Sequence, residues 1–322
     1  MDTWEIIRVN VFSPMVLAFA LGVVAQLLKS DLKLPEQIYS GIAMYLLFSI
    51  GLKGGFGLAR APLESVIAPA LATLMLGVGI PLWCYALLRL LGKFDVANAA
   101  ALAAHYGSVS AVTFSASITL LDELRLPYEA FLPTLVALLE IPAIAVALLI
   151  AQQRLGGHTW QKALHEVLTG KSIFLLIGGV VIGFISGEPG YQQVSPLFTT
   201  LFAGLLTLFL LEMGVVTGQY LRALRQVGAF LIGFGIVMPL LHGALGVWLG
   251  TLSGLSLGGS MALGAMAASA SYIAAPAAVR VALPQANPSY YLTAAIAITF
   301  PFNLIFGLPL YLEIARALHA AG

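Results

Sequence analysis

The chain has 322 residues, 60% of them hydrophobic and 9% charged, with 15 Lys and Arg against 14 Asp and Glu. Soluble domains carry about 25% charged residues, so this supply is too small to cover a water-facing surface, and a net charge of +1 gives no field to hold a polyanion. Soluble enzymes, nucleic-acid binders and disordered regulators are excluded; an all-α polytopic membrane protein remains.

The first residues, MDTWEIIRVNVF, lack the basic-then-apolar layout of a cleaved signal, so the first apolar segment is expected to be retained. A crossing needs about 20 apolar residues. Ten segments qualify between polar or turn-rich breaks: 13–29, 37–58, 64–91, 96–120, 127–153, 171–187, 194–219, 223–251, 257–280 and 288–318. Trp4, Phe12 and Tyr39 read as an interfacial aromatic belt. The second segment carries IGLKGG, where Lys53 either snorkels to the interface or acts as counter-ion to an anion or a carboxylate. The third contains Pro81 and the single cysteine, Cys84, which excludes an internal disulfide and a cysteine-based metal site.

The fourth segment places Gly107, Ser108, Ser110, Thr113, Ser115 and Ser117 at mid-depth. Glycine relaxes a helix and hydroxyls re-satisfy the backbone groups that a break frees. The fifth holds Glu140 in LVALLEIPAIAV, next to Pro142. A carboxylate at that depth costs on the order of 2.5 kcal/mol or more, so it reads as a Na+ or H+ ligand, against the plainer role of an interhelical hydrogen bond. The longest loop, RLGGHTWQKALHEVLTG at 154–170, is polar and faintly amphipathic. The seventh segment holds a second deep carboxylate, Glu212, and the eighth holds Pro239 and His242; His105 and His242 read as interhelical bonds. The ninth contains Ser269, Ser271, Tyr272 and Pro276, and the tenth contains Thr299 and Asn303.

Two halves echo each other. Gly51 and Gly55 match Gly214 and Gly218 at an offset of 163; Ser108 and Ser110 match Ser269 and Ser271 at 161. Pro127-Tyr128 matches Pro288 and Tyr290, and Pro81 roughly matches Pro239. With five segments per copy, the second copy must enter the membrane upside down. The expected organisation is a first repeat over 1–156, a linker over 157–170 and a second repeat over 171–322. Inverted repeats mark secondary transporters with a site at the midplane. Breaks in the fourth and ninth segments would aim two helix N-termini at one centre, an anion site without a buried Lys or Arg. Freed carbonyls and hydroxyls would serve a hard cation. Continuous helices packed on small residues are the alternative. Lys and Arg number ten in the loops on one side and five on the other, which puts both termini outside. No phosphate-binding loop, HExxH or nucleophile elbow is present, so no enzyme is read here.

The stretch YGSVSAVTFSASITLLDELRLPYEAFLPTLVALLEIPAI, together with IGLKGG, SLGG at 256–259, the Arg280 region and LPQANPSYY, resembles the sodium-dependent bicarbonate transporters of cyanobacteria and their bacterial relatives. The resemblance implies ten spans in two inverted repeats, arranged as a core and a gate domain, with elevator-like movement, a trimer and, in some members, a PII-like cytoplasmic regulator. It also implies bicarbonate at Gly107, Ser108, Val109, Ser110, Ser269 and Ser271, with Tyr272 beside them. Na+ would lie nearby, with Glu140, Thr113, Thr299 and Asn303 as cation candidates, Lys53 and Glu212 as accessory groups, and no other cofactor. Residence in the bacterial plasma membrane follows. Where the family reads SSSDISGPP this chain reads ASASYIAAP, so Tyr272 replaces an acid and Ala274 a serine; Asp-Ile-Pro becomes Glu140-Ile141-Pro142, and the central loop is shorter. Other readings of the same residues are a Na+-coupled carrier of an organic carboxylate and an uncoupled anion uniporter or channel.

Overall fold

The computed structural model describes residues 3–155 and 160–321, and every element among them is helical. In order these are α1 (Thr3–Val11), α2 (Pro14–Leu27), α3 (Glu36–Arg60), α4 (Leu63–Leu90), α5 (Val96–Gly107), α6 (Ala111–Glu123), α7 (Leu132–Leu155) and α8 (Trp160–Thr169). They continue with α9 (Lys171–Ser195), α10 (Phe202–Leu221), α11 (Leu224–Leu252), α12 (Leu257–Ala268), α13 (Ala274–Ala282) and a final α14 (Pro288–Ala321). Helix α14 widens into π-turns over Thr293–Thr299 and Asn303–Gly307. The termini expected outside and the start of the 157–170 linker fall on residues 1–2, 322 and 156–159, outside the described set.

Among the described residues, six helices are long and apolar enough to cross a membrane, or seven if the bent pair α1–α2 is one span. One of the six is the 51-residue run Lys171–Leu221. Inside it Gly187 has φ +54°, a backbone that only glycine adopts freely, and the helix bends there. The fourth and ninth predicted segments are each interrupted: α5 stops at Gly107 and α6 starts at Ala111, while α12 stops at Ala268 and α13 starts at Ala274.

Two kinds of packing hold the helices. α2 lies against α10 and α3 against α9. These pairs close through glycines: a Cβ on Gly22 would sit 2.0 Å from the Leu211 carbonyl oxygen, and one on Gly55 would sit 2.1 Å from that of Val180. Association in lipid relies on such backbone approach, because apolar side chains gain little by leaving lipid. The second kind groups α4, α5 and α7 on one side and α11, α12 and α14 on the other, with α5 and α12 almost wholly buried.

Prolines inside these helices free carbonyls that other helices then use. Pro239 in α11 removes the donor for the Gly235 carbonyl, and the Thr299 hydroxyl donates to that oxygen at 2.8 Å. The Tyr311 hydroxyl donates to the Pro239 carbonyl at 3.1 Å. In the same way the Asn10 amide of α1 donates to the Leu304 carbonyl in a π-turn of α14, at 2.9 Å.

Candidate functional site

Each break is built from a cap. Asp95 starts α5 by accepting the Asn98 N–H at 2.9 Å, and Ser256 starts α12 by accepting the Gly259 N–H at 3.2 Å. Both helices run inward and end in extended serines: Ser108 at φ −88°, ψ 171° and Ser269 at φ −83°, ψ 163°. Ser110 restarts the first chain as α6, its hydroxyl oxygen accepting the Thr113 N–H at 3.1 Å while its carbonyl accepts Phe114 N–H. That leaves the Ala111 and Val112 N–H groups as orphan donors of the first turn, with the positive end of the helix dipole behind them. At α13, Ser271 Oγ accepts Ala275 N–H at 3.3 Å, and Pro276 sits in the first turn, where its missing N–H costs nothing.

The two breaks are bonded to each other. Ser110 N–H donates to Ser269 Oγ at 2.8 Å, and Ser271 N–H donates to the His105 carbonyl at 2.8 Å. Ser269 Oγ in turn donates to the Met266 carbonyl at 2.7 Å. Gly107 is where α5 slips past its neighbours: a Cβ there would lie 2.7 Å from Pro81 Cδ and 3.0 Å from Ala143 Cβ.

Beside the crossing is a cavity of about 10 Å³, the room of one water-sized particle. Val109, Ser110, Ser271 and Tyr272 line it together with Glu140 of α7; Leu47 of α3, Ala111 and Ile273 complete the wall. Glu140 is only 4% exposed. Three buried polar atoms around the crossing have no hydrogen-bond partner: Ser108 Oγ, Tyr272 OH and Glu140 Oε2. Buried polar atoms are nearly always paired, so three orphans around one crossing make it the candidate binding place. The Tyr272 ring stands edge-on to Phe300, centroids 5.5 Å apart.

The structure thus gathers Gly107, Ser108, Val109, Ser110, Ser269, Ser271, Tyr272 and Glu140 at one place, with Thr113 a turn into α6. Asn303 and Thr299 stand one layer out. The Asn303 amide donates to the Ala268 carbonyl at 2.8 Å, holding the end of α12, and its oxygen accepts from Tyr311. Thr299 joins the Tyr106 hydroxyl of α5 to the Gly235 carbonyl of α11. Glu212 lies elsewhere, accepting the Leu34 N–H at 2.8 Å ahead of α3. Lys53 also lies apart, its Nζ 3.9 Å from the centroid of the Phe202 ring. His105 and His242 are internal: His105 Nδ1 donates to the Ala101 carbonyl and the ring stacks on Tyr291, while His242 Nε2 accepts from Trp83. The sequence reading did not single out the Ala111 and Val112 N–H groups. A serine cap at Ser110 was the signal for them, since the first two residues after a cap carry the free donors.

Apolar helices of membrane-crossing length, with two interrupted helices bonded crosswise around unpaired polar groups, are an arrangement that fits a transporter with discontinuous helices. More narrowly, the chain belongs to the Na+-dependent bicarbonate transporter superfamily, whose family model matches residues 14–316. No curated protein matches it.

Proposed function

We propose that the protein is a Na+-coupled symporter that takes up bicarbonate through the bacterial plasma membrane by elevator-like alternating access. The observation that carries this reading is the crosswise pair of breaks with its three unpaired polar atoms. In this account bicarbonate accepts hydrogen bonds from Ser108 Oγ, Tyr272 OH and the free N–H groups that open α6. Gly107, Val109, Ser269 and Ser271 shape the backbone around it. Na+ binds at Glu140, completed by hydroxyl or carbonyl oxygens near Thr113, with Thr299 and Asn303 supporting from behind.

Ten crossings in two inverted repeats, 1–156 and 171–322, fit several separate features. A helix of 51 residues would be about 75 Å long, more than twice the bilayer's ~30 Å core, and the bend at Gly187 offers a place to turn back. Ends that this topology puts on one side do meet: Glu129 Oε1 accepts the Ser256 N–H at 2.6 Å, and on the other side Asn98 accepts the Asn287 N–H at 2.7 Å. The pairs α2–α10 and α3–α9 are also exchanged by the repeat symmetry. A gate domain would then be α2, α3, α9 and α10, and a core domain α4–α7 with α11–α14. All the walls of the small cavity but Leu47 come from the core. Sliding the core away from α3 would therefore enlarge the cavity for an anion of four heavy atoms. Both termini outside, a homotrimer and a PII-like regulator on the 157–170 side belong to this reading through the charge count and the family resemblance.

The test is radiolabelled bicarbonate uptake into proteoliposomes with and without an inward Na+ gradient. Concentrative uptake that needs the gradient is expected. Mere equilibration regardless of Na+ would remove the coupling, and no flux from folded protein would remove the substrate. Within the same assay Ser108→Ala is expected to leave thermal stability unchanged, because its hydroxyl has no partner to lose. It should raise KM for bicarbonate about tenfold or more, the worth of one hydrogen bond to a charged group. A wild-type KM would move the anion away from this break.

A further inference from the structure

The structure also holds a cavity of about 390 Å³, within the usual range for small-molecule sites, between α3, α6 and the segment joining α9 to α10. Lys53, Arg60, Ser115, Asp122, Glu123 and Phe202 are among its walls. A second, narrow cavity shares Ile50 and Ser115 with it, and shares Leu47, Ala111 and Ile273 with the small cavity at the breaks. Shared walls thus make the three spaces neighbours, from the wide vestibule to the cavity at the breaks, and the middle one is walled by Leu46, Leu47, Ile50 and Phe209 among others.

The charges in the vestibule are unequal in their commitments. Arg60 is ion-paired with Glu188. Asp122 is exposed and accepts the Tyr128 hydroxyl at 2.9 Å; Glu123 is exposed as well. Lys53 is half-buried, and among the described residues it makes no ion pair within 4.0 Å. Its ammonium rests on the Phe202 ring, a contact that holds a cation in place without neutralising it. The Asp122 carboxylate acts on Lys53 across the vestibule, beyond ion-pair distance; being exposed at the mouth it is screened by water and salt, whereas the lysine is set back among apolar walls.

We propose that Lys53 is the receiving station for the transported anion, and that the apolar collar of Leu46, Leu47, Ile50 and Phe209 is the seal between this station and the breaks. The proposal rests on the breaks being the transport site. A hydrated anion loses its water at the collar, and Lys53 offers a partner at the last point before that loss. The one lysine of the vestibule is placed one helical turn beyond Ile50, on the same helix that contributes Leu47 and Leu46 to the seal. Movement of α3 relative to the core would then open the collar and hand the anion inward in one event.

The test reads charge in the vestibule directly. Cys84 is the only cysteine and is fully buried, so Thr119→Cys, on the vestibule wall, supplies a single reactive thiol. Its rates of modification by an anionic and a cationic methanethiosulfonate are compared in purified protein in nanodiscs. Adding Lys53→Gln is expected to lower the anionic-to-cationic rate ratio about tenfold, and Lys53→Arg to preserve it; an unchanged ratio in Lys53→Gln overturns the proposal. In proteoliposomes Lys53→Gln should raise KM for bicarbonate while leaving the Na+ concentration for half-maximal uptake unaltered, and a wild-type KM would equally overturn it. The thiol ratio does not depend on what is carried. A fall in the ratio in a protein that moves no bicarbonate would keep Lys53 as an anion station and reject only the substrate assigned above.

Discussion

Replacing Glu140 by Gln is expected to abolish Na+-driven accumulation of bicarbonate while leaving the protein folded. Any residual Na+-dependent uptake should need about a hundredfold more Na+, the scale over which ligand charge tunes sites for hard cations. The reasoning starts from cost. A carboxylate in the middle of α7, 4% exposed and with Oε2 unpaired, is expensive in a membrane interior. Such a cost persists when a bound cation repays it. Gln keeps the shape and removes the charge, and no hydrogen bond from Oε2 is lost, so the Na+-free protein should melt no lower than the wild type does. The wild type should gain stability with Na+, by roughly 2.7 kcal/mol at a hundred times the dissociation constant; the Gln variant should gain none. Glu140→Asp, which restores the acid of the Asp-Ile-Pro pattern, should stay Na+-dependent. Unaltered Na+ dependence in the Gln variant would show that the cation is held elsewhere, with the freed carbonyls at the breaks the next place to look.

Gly55→Ala should be among the most damaging single methyls in the chain. The added carbon would lie 2.1 Å from the Val180 carbonyl oxygen and 2.6 Å from the Phe184 nitrogen, both backbone atoms of α9 that no rotamer change can move aside. Overpacking that forces backbone to shift costs about 3 kcal/mol, and here the whole α3–α9 contact would have to widen. The expected readout is a large fall in the detergent melting temperature and in yield. Gly41→Ala is the control within the same helix. Nothing lies within 4 Å of its added carbon, so it should be neutral or stabilise by up to about 1 kcal/mol through the better helix propensity of alanine. Equal behaviour of the two variants would mean that α3 and α9 do not pack as described.

Much of the site could be read before the fold was seen, because its pattern is local. Ser108, Ser110, Ser269 and Ser271 stand at one offset, and a serine that interrupts an apolar run with a glycine or proline near it is a cap waiting for a helix. The helix ends at Gly107 and Ala268 directly precede Ser108 and Ser269. What periodicity could not supply is which helix faces which. Glu140 reaches the breaks only because α7 packs on α5. Asn303 and Thr299 turn out to serve carbonyls left free by a helix end and by Pro239, and such pairings link residues 35 and 64 positions apart. Glu212 looked as unusual in sequence as Glu140, yet it is spent on the Leu34 N–H. Membrane depth alone does not tell a ligand from a strut. The vestibule was equally hidden, since Lys53 acquires its setting from Phe202, on a helix 149 residues away.

The two hydrogen bonds that join the breaks have a consequence for the energetics of a transport cycle. Ser110 to Ser269 and Ser271 to His105 run from one break to the other, and neither reaches α2, α3, α9 or α10. On the proposed mechanism the groups at the breaks would travel as one sealed compartment whose internal bonds need not break in transit. A compartment that travels intact pays no toll at its own seams: the barrier falls on the greasy face that slides past α3 and on the lipid that must reform around it. Affinity for the cargo and speed of the crossing then become separately adjustable, the first by residues such as Ser108 and Tyr272, the second by the side chains of the collar.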